Sequence, residues 1–308
     1  MSPLRPGIVA VVGPTAAGKS GLAVALARRL GGEVVNADSM QLYRGMDIGT
    51  AKLPPAGRGG VRHHLLDVLD VTETSTVAEF QGLAREAVTD CHSRAVVPVL
   101  AGGSALYVRA VLDGFAFPGT DPTVRAELEA ELATQGAAAL HRRLAAVDPP
   151  AAAAILPTNG RRVVRALEVV RITGQPYTAQ LPQQRYADER TTAIGLDVPR
   201  EVLNESIEVR VDAMWAAGLV DEVRELERRG LREGRTASRA LGYAQLLAHL
   251  AGDCTEREAR DETVRATRRF ARRQLAWFGK DARIRWLPHD APDLVDRALA
   301  ALETPAEP

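Results

Sequence analysis

Residues 13–20 read Gly13-Pro14-Thr15-Ala16-Ala17-Gly18-Lys19-Ser20, a full match to GxxxxGK(S/T), and no other feature restricts the fold of this chain as much. The octapeptide has the flanks it requires. A β-branched run at 8–12 precedes it, and an Ala- and Leu-rich helical stretch at 21–30 follows. Gly13 and Gly18 allow the backbone to curl so that its N–H groups point inward at phosphate oxygens. The helix N-terminus adds partial positive charge, Lys19 neutralises anionic oxygens, and the Ser20 hydroxyl is a ligand for Mg2+. Residues 13–20 are therefore read together as a phosphate cradle and not as an ordinary glycine turn.

The rest of the chain fits around that loop. A second strand is predicted at 33–37, ending at Asp38, and a helix at 77–95. A third strand at 96–101 ends in Gly102-Gly103, and another helix begins at 104–112. This βαβ rhythm predicts a parallel sheet with helices on both faces, in which ligands bind beyond the carboxyl ends of the strands. The loops at 13–20, 38–41 and 102–104 all follow strands and are expected to converge on one crevice.

The texture changes after Pro118. From 123 to 173 the chain is rich in Ala, Glu and Arg and helical in period, punctuated by Pro149-Pro150, Pro157 and Gly174. A returning core strand is predicted at 193–198, helices at 200–217, 218–229 and 256–278, and a frayed tail at 304–308. The predicted fold class is α/β, with a P-loop NTPase-like parallel sheet core at 1–117 and 190–308 interrupted by a helical insertion domain at 118–189. A length of 308 residues suits one such core carrying an insertion.

Charge narrows the partners. Lys plus Arg and Asp plus Glu both number 39, so a uniformly basic coat is absent and any nucleic-acid surface must be local. Two cysteines, Cys91 and Cys254, exclude a disulfide framework and a Cys-rich zinc site, and fit a reducing cytoplasm. The most apolar later stretch, 95–112, contains Pro98, Gly102, Gly103 and Arg109, so it reads as a buried strand plus a helix start and not as a membrane span. The run at 8–12 is too short for a signal peptide. His63 and His64 have no third ligand at suitable spacing and are read as structural or loop residues. Neither Cys91 nor Cys254 has the sequence context of a reactive thiol.

A phosphate loop alone does not establish nucleotide hydrolysis. Such enzymes usually hold Mg2+ with an acidic residue at the end of a second buried strand. Here the strand at 96–101 ends in Ala-Gly-Gly, and the acid that does end a strand is Asp38, followed by Ser39, Met40 and Gln41. That neighbourhood looks more like a recognition loop than a metal clamp, which suits the cradle to a diphosphate leaving group instead of a triphosphate donor.

Further segments complete a pattern. They are GPTAAGKS at 13–20, ADSMQLYRGMDIGTAK at 37–52, HHLLDV at 63–68, AGGSALYVRA at 101–110, RRVVRALEV at 161–169, RVDAMWAAGLVDEV at 210–223, RALGYAQ at 239–245 and TRRFARRQLAWF at 267–278. In this order, and over most of the chain, they resemble the tRNA dimethylallyltransferase family, also called tRNA isopentenyltransferases. The resemblance implies a tRNA prenyltransferase. Such an enzyme moves a dimethylallyl group from dimethylallyl diphosphate to the exocyclic N6 amine of the adenosine 3′ of the anticodon, releasing diphosphate, with Mg2+ as cofactor. Its partners are then dimethylallyl diphosphate and the tRNA anticodon stem-loop, with no membrane, and the enzyme is expected as a cytoplasmic monomer. The alternative on the same core is a nucleotide or small-molecule kinase.

The residue types suit that chemistry. One proton must leave the adenine amine as the C–N bond forms, and Asp38, one strand away from the phosphate loop, is placed to accept it. The competing role for a lone Asp after a strand is a turn residue. Ser39 and Gln41 can hydrogen-bond base edges, whereas Tyr43 reads as packing. Charge on the departing diphosphate requires fixed donors. The resemblance assigns that task to Thr15 and Arg210, which with Asp38 form the catalytic set; Lys19, and Mg2+ at Ser20, complete the clamp.

The resemblance further assigns tRNA contact to four segments and one hydroxyl. These are Asp38, Ser39, Met40 and Gln41; Arg161, Arg162, Val163, Val164 and Arg165; Arg239, Ala240, Leu241, Gly242, Tyr243 and Ala244; and Arg272, Arg273, Gln274, Leu275, Ala276, Trp277, Phe278 and Gly279. The hydroxyl is that of Ser104, where relatives often carry Thr; they often carry Arg at the position of Gly279. Independently of any relative, Arg265, Arg268, Arg269, Arg272, Arg273, Lys280, Arg283 and Arg285 form a basic stripe with Asp281 as its only acid. That composition argues for a phosphate-contacting helix over a lattice of salt bridges. Buried core is the default for Trp277 and Phe278, with base stacking as the alternative.

Overall fold

Short valine-rich runs and long helices alternate through the structure, a computed structural model that describes residues 7–115, 117–177 and 184–303. Two compact units divide the chain, one formed by 1–114 with 184–308 and the other by 115–183. The sequence predicts the insertion at 118–189 and a frayed tail at 304–308; residues 178–183 of the former and all of the latter lie outside the described residues.

The first unit holds a six-stranded sheet whose neighbours are all parallel. Its strands are β1 (Val9–Val12), β2 (Gly32–Asn36), β3 (His63–His64), β4 (Val97–Gly102), β5 (Thr192–Asp197) and β6 (Ile284–Pro288), in the order β3-β2-β4-β1-β5-β6. All four residues of β1 are buried, and alternate side chains serve opposite faces. Val9 and Val11 join one apolar cluster with Leu26 and Ile207, while Ala10 and Val12 join another with Phe80 and Leu100.

Helices α1 (Lys19–Leu30), α2 (Val77–Ser93) and α3 (Ala105–Leu112) connect the first strands. The start of α2 is defined by a capping box in which Thr76 and Glu79 satisfy each other's backbone N–H groups. Gly31, at φ 61°, ends α1. After β5 come α8 (Arg200–Ala216), α9 (Leu219–Arg228), α10 (Tyr243–Leu250), α11 (Glu256–Phe278) and, past β6, α12 (Leu294–Glu303). The bounds of α11 are those its periodicity predicts. Sequence reading did not find β3, β6, α10 or α12. His63 and His64, expected in a loop or a structural role, form a two-residue edge strand against Val34 and Val35.

The second unit packs α4 (Pro122–Gln135), α5 (Ala137–Val147), α6 (Pro149–Ala154) and α7 (Gly160–Thr173) around Leu128, Leu140, Leu144, Val163 and Leu167. Glu168 is fully buried there and is held by Arg125 and Arg165. Burial pushes its carboxyl up, but the two guanidiniums outweigh that and hold it below the ordinary range.

Because β4 lies between β1 and β2, the carboxyl ends of three strands line up side by side. The phosphate loop follows β1, Asp38 follows β2, and Gly102-Gly103 sits between them at the end of β4. A side chain is excluded at Gly102, and at Gly103 one would displace a neighbouring side chain. A Cβ on Gly102 would stand 2.4 Å from the Ala37 carbonyl oxygen, and one on Gly103 would stand 2.3 Å from Gln274 Nε2.

Candidate active site

The phosphate loop is built from unusual backbone. Gly13 has φ 139°, Ala16 φ 65° and Gly18 φ 88°, and Gly18 is also the N-cap of α1. A non-glycine residue at positive φ is strained, and at Ala16 that strain sits within the cradle. Lys19 Nζ donates to the Pro14 carbonyl at 2.6 Å, so its side chain folds back over the loop. Burial, reinforced by the nearby Arg210 charge and opposed by Asp38, pushes the Lys19 ammonium down to about 8. Burial likewise lowers Arg210, again against the pull of Asp38. Lys19, Asp38 and Arg210, from three separate elements, thus share one electrostatic field. Arg210, on α8, makes no ion pair or hydrogen bond among the described residues.

Asp38 has two distinct oxygens. Oδ1 accepts the Met40 N–H at 2.9 Å, which is the turn role considered above. Oδ2 carries no hydrogen bond among the described residues. Buried Asn36 frames the residue from behind: its Oδ1 accepts the Asp38 N–H at 2.9 Å and its Nδ2 donates to the Asp38 and Leu65 carbonyls. Ser39, Met40 and Gln41 are half-buried, and Gln41 Nε2 donates to the Thr50 carbonyl at 3.0 Å, leaving its Oε1 for a partner. Tyr43 is fully buried and packs, as expected.

Two residues that sequence reading passed over hold this recognition loop. Lys52, with a side chain 3% exposed, donates to the Tyr43 carbonyl at 2.9 Å and to Asp47 and Asp67 at 2.6 Å each, which uses all three of its protons. Glu222, on α9, accepts the N–H groups of Asp47, Ile48 and Gly49, and the Tyr243 hydroxyl donates to it at 2.6 Å. The available signal was position: Lys52 closes the 37–52 segment and Glu222 lies in the 210–223 segment. Lys52→Met is expected to lower unfolding stability by about 2 kcal/mol, since hydrogen bonds to charged groups contribute about 1.5–3 kcal/mol each and both carboxylates stay wet after the change. Urea unfolding measures this, and an unchanged midpoint contradicts the anchoring role.

The assigned tRNA segments divide by exposure. In the second unit Arg161 and Arg162 are exposed, whereas Val163 and Val164 are core and Arg165 is occupied by the Pro118 and Gly119 carbonyls and Glu168. In the 239–244 segment Arg239 is exposed, Leu241 and Ala244 are half-buried, and Ala240, Gly242 and Tyr243 are buried. On α11, Arg272, Arg273, Ala276 and Trp277 are exposed, as is Gly279 just beyond it, Leu275 is half-buried, and Phe278 and Gln274 are buried. Ser104 is the half-buried N-cap of α3, with no side-chain cap bond. The buried members cannot offer side chains to RNA, because apolar packing or internal hydrogen bonds already occupy them.

The basic stripe needs a correction. Arg265 and Arg269 both bind Glu262, Arg268 binds Glu208 on α8, and Arg283 binds Asp113 and Asp281. Three of these acids, Glu262, Glu208 and Asp113, lie outside the 265–285 window, so counting within it overstates the free charge. Arg272, Arg273 and Lys280 make no ion pair among the described residues, although Arg273 lies 5.7 Å from the Phe270 ring centroid.

Away from the crevice, Glu33, His64 and Cys91 bring three potential metal-ligating atoms together. His64 Nε2 is 2.7 Å from Glu33 Oε2, and Cys91 Sγ is 3.7 Å from that oxygen. The Arg94 guanidinium binds both oxygens of Glu33 at 2.7 Å and holds its carboxyl down at about 2. Burial pushes the Cys91 thiol up to about 11. A cation therefore already neutralises the carboxylate, and the thiol stays protonated, as its sequence context predicts.

A sequence profile of the IPP transferase family matches residues 41–281. A tRNA dimethylallyltransferase of Thermobifida fusca is 66% identical over 300 residues, covering 95% of this chain and 93% of the relative. The crystal structure of a full-length tRNA isopentenylpyrophosphate transferase from Bacillus halodurans is similar at 42% identity and a TM-score of 0.70, covering 96% of each chain. A eukaryotic dimethylallyltransferase structure shares the fold at 24% identity and a TM-score of 0.82, over 95% of this chain and 76% of that one.

Proposed function

The chain belongs to the IPP transferase family, the tRNA dimethylallyltransferases, and from that premise we propose how its own residues carry out the reaction. It transfers a dimethylallyl group from dimethylallyl diphosphate to N6 of the adenosine 3′ of the anticodon and releases diphosphate. The kinase alternative gains nothing from the comparisons, and Gly102, the last residue of β4, has no room for an acidic side chain.

The shared field of Lys19, Asp38 and Arg210 beyond the strand ends is the observation that carries the residue-level reading. The diphosphate lies against the N–H groups of 16–20, with Thr15, Lys19 and Arg210 as its side-chain donors. As the C–O bond to diphosphate breaks and the C–N bond forms at the same carbon, negative charge grows on the leaving oxygens. Fixed donors in a partly dry site stabilise that charge strongly. The N6 proton passes to Asp38 Oδ2, the oxygen without a hydrogen bond, while Oδ1 keeps the turn in place. No covalent enzyme intermediate is required. The adenine must leave its stack, at a cost of a few kcal/mol, and the unpaired anticodon loop keeps that cost low.

The residues at the cradle fit Mg2+. Ser20 stands exposed at the first turn of α1, and its hydroxyl has no hydrogen bond among the described residues. It would hold the ion beside diphosphate oxygens and water. When bound, Mg2+ supplies further neutralisation of the leaving group.

For tRNA the reading uses the exposed residues: Arg161 and Arg162 on one unit, Arg239, Arg272, Arg273 and Trp277 on the other, with Ser39 and the Gln41 Oε1 at the base. Replacing Arg272 and Arg273 together by Ala is expected to reduce the slope of log affinity against log salt by about 1.5, since each phosphate contact contributes about 0.7–0.9. An unchanged slope would assign those side chains elsewhere. Among the described residues no helix is long and apolar enough to cross a membrane. Both cysteines are unpaired, which supports a cytoplasmic setting. The deciding test is incubation with tRNA and radiolabelled dimethylallyl diphosphate, followed by nucleoside analysis. Label in a prenylated adenosine supports the reading, and its absence with active controls defeats it.

A further inference from the structure

Gln274 sits among the residues that resemblance assigns to tRNA, yet it is 5% exposed and faces away from solvent. Its side-chain amide spans two of the three loops that meet at the crevice. Oε1 accepts the Thr15 N–H of the phosphate loop at 2.8 Å, and Nε2 donates to the Gly103 carbonyl beyond β4 at 2.8 Å. An independent observation shows how closely the amide is fitted. A Cβ at Gly103 would stand 2.3 Å from Nε2 and 3.3 Å from the Gly13 carbonyl oxygen, so glycine at 103 makes room for this contact. The bond to Thr15 N also draws that one N–H toward α11. It sets the backbone from which Thr15 presents its hydroxyl and from which the strained Ala16 enters the cradle.

We propose that Gln274 is a positioning residue for diphosphate, a strut from α11 that sets the shape of the phosphate loop, and not a tRNA contact. The proposal rests on the reading of 13–20 as the diphosphate cradle. Each end of the amide is already bonded to backbone, Oε1 to Thr15 and Nε2 to Gly103, and at 5% exposure the side chain has little surface with which to meet a base or a phosphate. Breaking the strut leaves the half-buried Thr15 N–H and the buried Gly103 carbonyl to find other partners, and a loop already at positive φ relaxes. Arg272, Arg273 and Trp277, on the outer side of the same helix, are untouched by such a change.

The test uses two substitutions that reach the contact from opposite sides. Gln274→Met keeps the volume and removes both hydrogen bonds. Gly103→Ala keeps Gln274 and displaces its amide with a methyl group. Each is compared with wild type for calorimetric affinity toward inorganic diphosphate with Mg2+, for tRNA affinity by filter binding, and for steady-state kinetics. Both variants are expected to bind diphosphate about 10- to 100-fold more weakly, with tRNA affinity within about twofold, following the net contribution of two buried hydrogen bonds. KM for dimethylallyl diphosphate rises in parallel while KM for tRNA stays level. A general loss of fold would move both affinities together, and thermal unfolding of each variant without ligand separates that case. Weakened tRNA binding with normal diphosphate affinity in the folded variants would overturn the proposal, as would unchanged affinity for both. If wild type bound diphosphate but transferred no prenyl group, the functional reading would fail, while the comparison of diphosphate affinities would still judge the strut.

Discussion

Asp38→Ala is expected to lower the single-turnover rate of prenyl transfer by about 10²–10⁴-fold, the usual contribution of a positioned general base. Affinity for tRNA should stay within a few-fold. The difficulty with this residue is that it has two jobs. Oδ1 holds the Met40 N–H, so the alanine variant loses a turn as well as a base. Asp38→Asn separates them. Its side-chain oxygen still accepts the Met40 N–H, and Asn36 still frames the backbone from behind, but no group of useful basicity remains. If proton transfer is the role, Asn is nearly as slow as Ala. If the turn is the role, Asn is close to wild type, and Asp38 ceases to be the base. Rapid-quench rates with saturating tRNA, alongside filter binding, decide between these outcomes.

Lys19→Met should weaken binding of inorganic diphosphate by about 100-fold. A charge-assisted hydrogen bond contributes about 1.5–3 kcal/mol, and poor screening inside the cradle places this lysine at the upper end. The pH dependence gives the prediction a second readout. Diphosphate favours the protonated ammonium, and in the free protein that proton is lost as the pH rises through about 8. Affinity of the wild type should therefore fall by up to about tenfold per pH unit above that point. The diphosphate titrates as well, but it does so equally against both proteins, so the ratio of wild-type to variant affinities isolates Lys19. A ratio that stays flat from pH 7 to 10 contradicts a lysine in contact with the ligand. The same depressed value has a consequence for folding. A lysine that binds its proton less tightly when folded opposes folding while charged, and that opposition fades between about 8 and 10.5. Wild type should therefore gain stability across that window relative to Lys19→Met.

Hydrophobic period and glycine punctuation make much of the fold legible in the sequence itself. Strand β1, the loop, α1 and α11 follow from local rules, since a valine run, a glycine-rich turn and a capped amphipathic helix need no distant partner to be recognised. The strands that went unseen are of two kinds. Strand β3 has only two residues, and its identity comes from pairing with β2. Strand β6 carries Arg285 and Trp286 on a sheet edge, where half-burial blurs the alternation. In the basic stripe the error was one of distance along the chain. Glu208 neutralises Arg268 across 60 residues, and Asp113 neutralises Arg283 across 170.

The site divides along the same line. Patterns that reside in one residue type at one spacing are readable from the chain alone: the glycine- and lysine-bearing loop at 13–20, the acid closing the next strand at Asp38, and the absence of an acid where Gly102-Gly103 ends β4. Backbone conformation imposes those patterns within a few residues, so they survive without a tertiary context. Which side chains remain free to act was decided only by packing. Gln274 and Arg272 are two positions apart in one motif, yet one is sealed against Thr15 and Gly103 while the other stands in water. A helix turns about 100° per residue, so neighbours in sequence face opposite environments, and only the folded molecule says which side meets the core.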